Sequence, residues 1–208
     1  MDRRIAMSVA ACILATDAPR TPRAALNAPV TLDEAIAQRR SVRTFTGTPP
    51  SNDAIGRLCW AAQGITDTTT GHRAAPSAGA LYPLELYVVG RAGVFHYEPR
   101  LNALPRTTSE DRRDALARAS LGQDAVRQAS VSFVITAVVA RTRAKYGDRA
   151  ERYAYLEAGH AAQNLLLEAT SLHLGAVPIG AFDDDAVRRV LGASMEETPL
   201  YVIPVGSR

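Results

Sequence analysis

The chain has 208 residues, 47% hydrophobic and 22% charged, which is enough for one substantial core and too apolar for a disordered protein. The formal net charge is +3, but the basic residues are scattered, with no run of five and no basic stripe on any helix. Aromatics make up only 6%, so nucleic-acid binding is not expected. Cys12 and Cys59 form no CxxC pair, and His72, His96, His160 and His173 lack metal-ligand spacing, so neither a disulfide framework nor a metal site is expected.

In chain order, Arg3 and Arg4 precede a short apolar stretch over 5–15, resembling a secretory signal, and Val9, Ala10, Ala11 and Cys12 resemble a lipoprotein processing site. The stretch is too short to span a bilayer, and no later segment reaches that length. The cytoplasm is favoured, with export or lipoprotein anchoring as the alternative. Residues 1–30 are read as leader and linker and 31–208 as one domain. Thr31 with Glu34 predicts a capping box opening a helix to about Arg39. Pro49 and Pro50 break the chain, and Ser51 or Asn52 caps a second helix. Residues 64–80 read as a loop, and 84–89 with 94–97 as a hairpin. A polar helix is expected up to Leu121, a strand buried on both faces over 131–139, and a long helix over 152–172 with Gly175 as its C-cap. That helix is small and apolar well beyond one stripe, which predicts burial or a subunit interface. A short helix from Asp183 or Asp184 and a closing strand over 200–205 complete an α+β order, with a mixed or antiparallel sheet flanked by helices.

Four segments carry candidate chemistry. Arg39, Arg40, Ser41 and Arg43 place three guanidiniums and a hydroxyl in five residues, and the planar fork of arginine matches phosphate oxygens. By residues alone, a solvated basic helix end is the simpler account. Pro76, Ser77, Ala78, Gly79, Ala80, Leu81, Tyr82 and Pro83 form a small-residue stretch that lets backbone approach a flat ligand, although on composition alone a plain connector is the better reading. Pro178, Ile179, Gly180 and Ala181 offer backbone N–H groups after the long helix, and a plain connection into the next element is the alternative. Lys145, beside Tyr146, is the lone lysine among 24 basic residues, and lysine can give up and regain a proton where arginine cannot. Chance survival on an exposed turn explains it equally well.

These segments, in this order, resemble the nitroreductase superfamily, and the similarity runs over residues 31–208. The R-R-S-V-R-T-F element resembles its FMN-binding signature. P-S-A-G-A-L-Y-P, and Lys145-Tyr146 ahead of the Y-L-E-A-G-H-A-A-Q-N-L helix, resemble the SagB-type branch that oxidises azoline rings in peptides. The chain carries Ala80 and Tyr82 where most nitroreductases have Asn and Gln, and Gly180 where many have Glu. The resemblance implies an FMN-dependent homodimer with the flavin at the interface. Cofactor contacts would come from Arg39, Arg40, Ser41, Arg43, Pro76, Ser77, Ala78, Gly79, Ala80, Pro178, Ile179, Gly180, Ala181 and Arg208, with Lys145 and Tyr146 removing a proton from a peptide or small-molecule substrate. The alternatives are a reductase of nitro compounds or quinones using NAD(P)H as co-substrate, and a non-catalytic partner subunit of a peptide-modifying complex.

Overall fold

Thr31 opens the first helix, α1 (Leu32–Gln38), through a complete capping box. Its hydroxyl accepts the Glu34 N–H at 3.3 Å, and the Glu34 carboxylate accepts the Thr31 N–H at 2.8 Å. Ser51 caps α2 (Asn52–Gln63) through the Ala54 N–H. In this computed structural model residues 30–46 and 48–208 are described. The expectations for the leader, for Cys12 and for most of the linker lie outside the described residues.

Six strands build the sheet: β3 (Leu84–Gly90), β4 (Gly93–His96), β5 (Arg106–Thr108), β6 (Val131–Val138), β7 (Leu174–Ala176) and β8 (Glu197–Ser207). Their order is β5-β4-β3-β6-β8-β7, and every ladder is antiparallel. The remaining helices are α3 (Arg113–Ala119), α4 (Asp124–Gln128), α5 (Ala140–Tyr146), α6 (Ala150–Ser171) and α7 (Asp184–Leu191). The alternation of strand side chains divides the core in two. Leu86, Val88, Phe133, Ile135, Ile203 and Val205 pack with Leu58 and Ala62 of α2 and with Ala158, Ala161 and Leu165 of α6. Val89, Val134 and Val202 pack with Leu116 of α3, Val126 of α4, and Val187 and Leu191 of α7. Helices therefore cover both faces, which is why β6 reads as a continuous apolar run.

One polar cluster interrupts the second face. Glu197, 7% exposed, accepts from the Tyr87 hydroxyl at 3.0 Å and from the Thr136 hydroxyl at 2.6 Å. Burial and the adjacent Glu197 push the Tyr87 phenol well up.

Several elements differ from the expectation. Residues 64–80 hold a small hairpin, β1 (Ile65–Asp67) and β2 (His72–Arg73), turned by the Asp67 carboxylate, which accepts from the Thr69 N–H and the Thr70 hydroxyl. The strand β5 and the helices α4 and α5 were not expected. α3 is shorter than predicted and buries Leu116, Ala117 and Ala119. α6 ends at Leu172, with His173 in the left-handed region (φ 58), and Gly175 lies inside β7 instead of capping the helix. Nor is α6 enclosed all round: one side packs through its alanines and leucines, while Tyr155 and Leu156 stay about half exposed, at 50% and 52%. No helix among the described residues is long and apolar enough to cross a membrane.

Candidate active site

The predicted site residues fall into two groups. The first lies along β7. Past α1 the chain becomes extended and runs beside the sheet edge, where Ser41 pairs in parallel with Ala176 and the Val42 N–H donates to the Ala176 carbonyl at 3.0 Å. Further on, the Thr46 N–H donates to the Ser207 carbonyl at 3.0 Å. Two glycines permit this close approach. A Cβ on Gly175 would sit 2.7 Å from Val42 Cγ1, and one on Gly206 would sit 3.0 Å from the Phe45 ring and Cβ. Backbone pairing thus fixes the stretch that presents Arg39, Arg40, Ser41 and Arg43.

Arg208 joins the same edge, its Nε–H donating to the Leu174 carbonyl at 3.1 Å. The Arg40 guanidinium donates to the Ala37 and Arg39 carbonyls, each at 2.8 Å, so it also caps the end of α1 as a basic helix end should. No ion pair among the described residues engages Arg39, Arg40, Arg43 or Arg208. An edge of uncompensated guanidiniums suits a phosphate.

After β7 the chain continues along β8, with Ile179 and Val202 exchanging two 2.9 Å backbone hydrogen bonds. Gly180 and Ala181 are exposed, and their N–H groups have no acceptor among the described residues. Nothing lies within 4 Å of where a Gly180 Cβ would be, which leaves room for a planar ring against the backbone. The Gln123 side chain steadies this loop by donating to the Ala181 carbonyl at 2.8 Å.

The second group is the loop after β2. Gly79 (φ 61), Ala80 (φ 55) and Tyr82 (φ 47) all adopt left-handed backbone. For Ala80 and Tyr82 this costs about 1–2 kcal/mol each, so the loop persists only because its surroundings over-determine it. The Tyr82 N–H donates to Ser77 Oγ at 2.9 Å, the Ala80 N–H to the Ser77 carbonyl at 3.0 Å, and the Ala78 N–H to Glu157 of α6 at 2.9 Å. Arg141 of α5 donates to the Tyr82 carbonyl at 3.2 Å and pairs with Glu85 at 2.5 Å. The Arg73 guanidinium lies 4.5 Å from the Tyr82 ring centroid and donates to Gln63 Oε1 at 2.8 Å.

Against this loop stand Lys145 and Tyr146. A Cβ on Gly79 would be 2.9 Å from both Lys145 Nζ and Tyr146 OH. The turn predicted for Lys145 is instead the last turn of α5, which aims both side chains at the loop. Tyr146 meets Tyr153 of α6 edge-on at 5.0 Å. A cavity of about 260 Å³ opens beside the loop, lined by Pro76, Ser77, Ala78, Tyr153, Leu156, Glu157 and His160.

The nitroreductase family model matches residues 36–207. The chain belongs to the nitroreductase family. As a member it is an oxidoreductase. A nitroreductase of Methanocaldococcus jannaschii is 40% identical over 185 residues, covering 86% of this chain and 92% of that protein. A nitroreductase structure from Ralstonia eutropha superposes with a TM-score of 0.79 at 26% identity, over 89% of this chain and 87% of the other. A chain of the Escherichia coli microcin synthetase McbBCD complex, with a truncated pro-peptide bound, has the same fold with a TM-score of 0.71 at 22% identity, over 97% and 84% of the two chains.

The fold therefore holds each nitroreductase-type segment near the element expected for it but leaves the two groups apart, and no hydrogen bond or ion pair among the described residues joins them. Both are tied to α6: the loop binds Glu157, and β7 follows the helix end. From Glu157 to Ser171 the helix rises about 21 Å along its axis. Sequence reasoning missed Glu157, Tyr153, Arg141, Glu85 and Arg73 as supports of the loop. Only Glu157 carries a sequence signal, as a carboxyl among the alanines of a buried helix face.

Proposed function

We propose that this nitroreductase-family chain is an FMN-dependent dehydrogenase of the SagB type, converting a thiazoline or oxazoline in a peptide to the aromatic azole. The observation that carries the reading is the placement of Lys145 Nζ and Tyr146 OH against Gly79 of the strained small-residue loop. FMN, when bound, supplies the acceptor for the hydride equivalent that leaves the azoline ring. The chain supplies the rest. Arg39, Arg43 and Arg208, with Ser41, hold the phosphate, and the free N–H groups of Gly180 and Ala181 face the ring. Lys145, with Tyr146 beside it, takes the proton that must leave the neighbouring ring carbon. The cavity at Pro76 and Leu156 receives the peptide.

The two groups come together across two copies of the chain, the β7 edge of one meeting the loop of the other. Leu32 (64% exposed), Ile36 (55%), Trp60 (45%), Tyr155 and Leu156 are the apolar side chains of α1, α2 and α6 that a homodimer would cover. Light scattering of the purified protein should give twice the chain mass.

Lys145→Ala should abolish azole formation while FMN stays bound, read as loss of two hydrogens from a synthetic azoline peptide by mass spectrometry. Lys145→Arg keeps the charge and removes the base, and should be as inactive. Full activity in either variant rejects the role. A second reading, an NAD(P)H-dependent reductase of nitro compounds or quinones, is favoured by the 40% identical relative named a nitroreductase. Rapid bleaching of the flavin by NAD(P)H in stopped flow, without azoline oxidation, would establish it. A colourless protein that takes up no FMN would leave the partner-subunit reading.

A further inference from the structure

Glu157 is 4% exposed and stands among Ala154, Ala158 and Ala161 on the buried side of α6. A carboxyl in such a layer is unfavourable unless a partner compensates it. Its one hydrogen-bond partner among the described residues is the Ala78 N–H, at 2.9 Å, at the start of the turn that carries left-handed Gly79 and Ala80. One helical turn earlier on the same stripe, Tyr153 packs edge-on against Tyr146 at 5.0 Å. The loop and the Lys145–Tyr146 pair belong to different segments, and they meet at Gly79. Both are held from behind by adjacent side chains of one rigid helix.

We infer that Glu157 and Tyr153 are positioning residues, which set where the proton-accepting pair of α5 stands relative to the backbone of the loop. The inference rests on the proposed role of Lys145 and Tyr146, but its physical core, a clamp from α6 onto both segments, does not need the cofactor. Glu157 touches neither Lys145 nor Tyr146 through a hydrogen bond. It acts by keeping Ala78, and so Gly79, in place. Tyr153 acts by keeping the Tyr146 ring in place.

Glu157→Ala removes the acceptor, and Glu157→Gln restores one at the same reach without the charge. Hydrogen exchange of the 77–82 amides, followed by mass spectrometry on the FMN-free protein, should speed up about tenfold or more in Glu157→Ala and stay near wild type in Glu157→Gln. In FMN-loaded protein, kcat for azoline oxidation should fall about tenfold or more in Glu157→Ala, with KM changed less than about threefold, and Glu157→Gln should recover most of the loss. Tyr153→Leu should show the same kcat-weighted loss while leaving Ala78 exchange slow, and Tyr153→Phe should not; this pair decides the matter if Glu157→Ala does not fold. Unchanged exchange at Ala78 in Glu157→Ala, or a lower melting temperature with unchanged kcat per bound FMN, overturns the inference. A wild-type protein with a slow-exchanging Ala78 that never oxidises an azoline sinks the proposed function instead and leaves the clamp standing.

Discussion

Gly175→Ala puts a methyl group where the structure has none to spare. The new Cβ would lie 2.7 Å from Val42 Cγ1 and 2.9 Å from Val42 Cβ. Valine is stiff at χ1 and its Cβ is anchored to the backbone, so the side chain cannot swing clear. Relief must come from moving the 41–43 segment off β7, which stretches the 3.0 Å bond from the Val42 N–H to the Ala176 carbonyl. Overpacking of this kind costs about 1–3 kcal/mol. The FMN-free protein can shed that strain by letting the segment lift, whereas the phosphate binding proposed for Arg39, Ser41 and Arg43 needs it seated, so on that proposal the cost falls on binding. A strain of about 2 kcal/mol corresponds to a roughly 30-fold weaker FMN dissociation constant. Flavin fluorescence quenching on the FMN-free protein measures it. Val42→Ala removes the clashing methyls but keeps the Cβ at 2.9 Å, so the double variant should recover part of the lost FMN affinity relative to Val42→Ala alone. Wild-type affinity in Gly175→Ala, or no recovery in the double variant, would refute the link between this packing contact and the phosphate site.

The remaining predictions concern stability. Glu197→Ala leaves the buried Tyr87 and Thr136 hydroxyls without their acceptor and should lower the unfolding free energy by about 3 kcal/mol in urea titrations; a loss under about 1 kcal/mol would show that the cluster relaxes. The hydrogen bond His96 makes to the Glu85 carboxylate raises His96 above its ordinary 6.5 in spite of burial. Burial would raise Glu85, but His96 and Arg141 outweigh it and hold the carboxyl below its ordinary 4.5. A raised histidine stabilises fully below about pH 6.5 and loses that contribution as pH rises through its folded value, while a lowered carboxylate stabilises above about pH 4.5 and loses it as pH falls through its folded value. Melting temperature should therefore decline on the alkaline side of pH 6.5, and His96→Gln should flatten that decline; an equal decline in both proteins assigns it elsewhere.

The capping box at Thr31, the Ser51 cap and the doubly covered β6 were legible because each rests on local chemistry or on strand periodicity. α5 was not, since its residues have no apolar stripe: Thr142 is its one buried residue, and the helix is held by packing on α6 and by the Arg141–Glu85 pair. β7 was hidden for a different reason. Gly175 reads as a helix stop, and only the approach of Val42 across the sheet edge explains it as a strand glycine. At the site, the four motifs could be found by their letters, but not that Lys145 and Tyr146 touch the loop, because that contact depends on α5. Glu157 shows the converse: the residue was visible, and its partner 79 positions away was not.

The ribbon of chain seated along β7 does more than display arginines. A terminal strand with unpaired amides is a template for stacking onto other molecules, and natural sheets shield such margins. Here the shield is the stretch that carries Arg39, Arg40, Ser41 and Arg43. If that stretch holds the phosphate as proposed, whatever loosens it both weakens flavin binding and bares a sticky rim, so preparations supplemented with riboflavin phosphate should stay clear in solution where unsupplemented ones cloud.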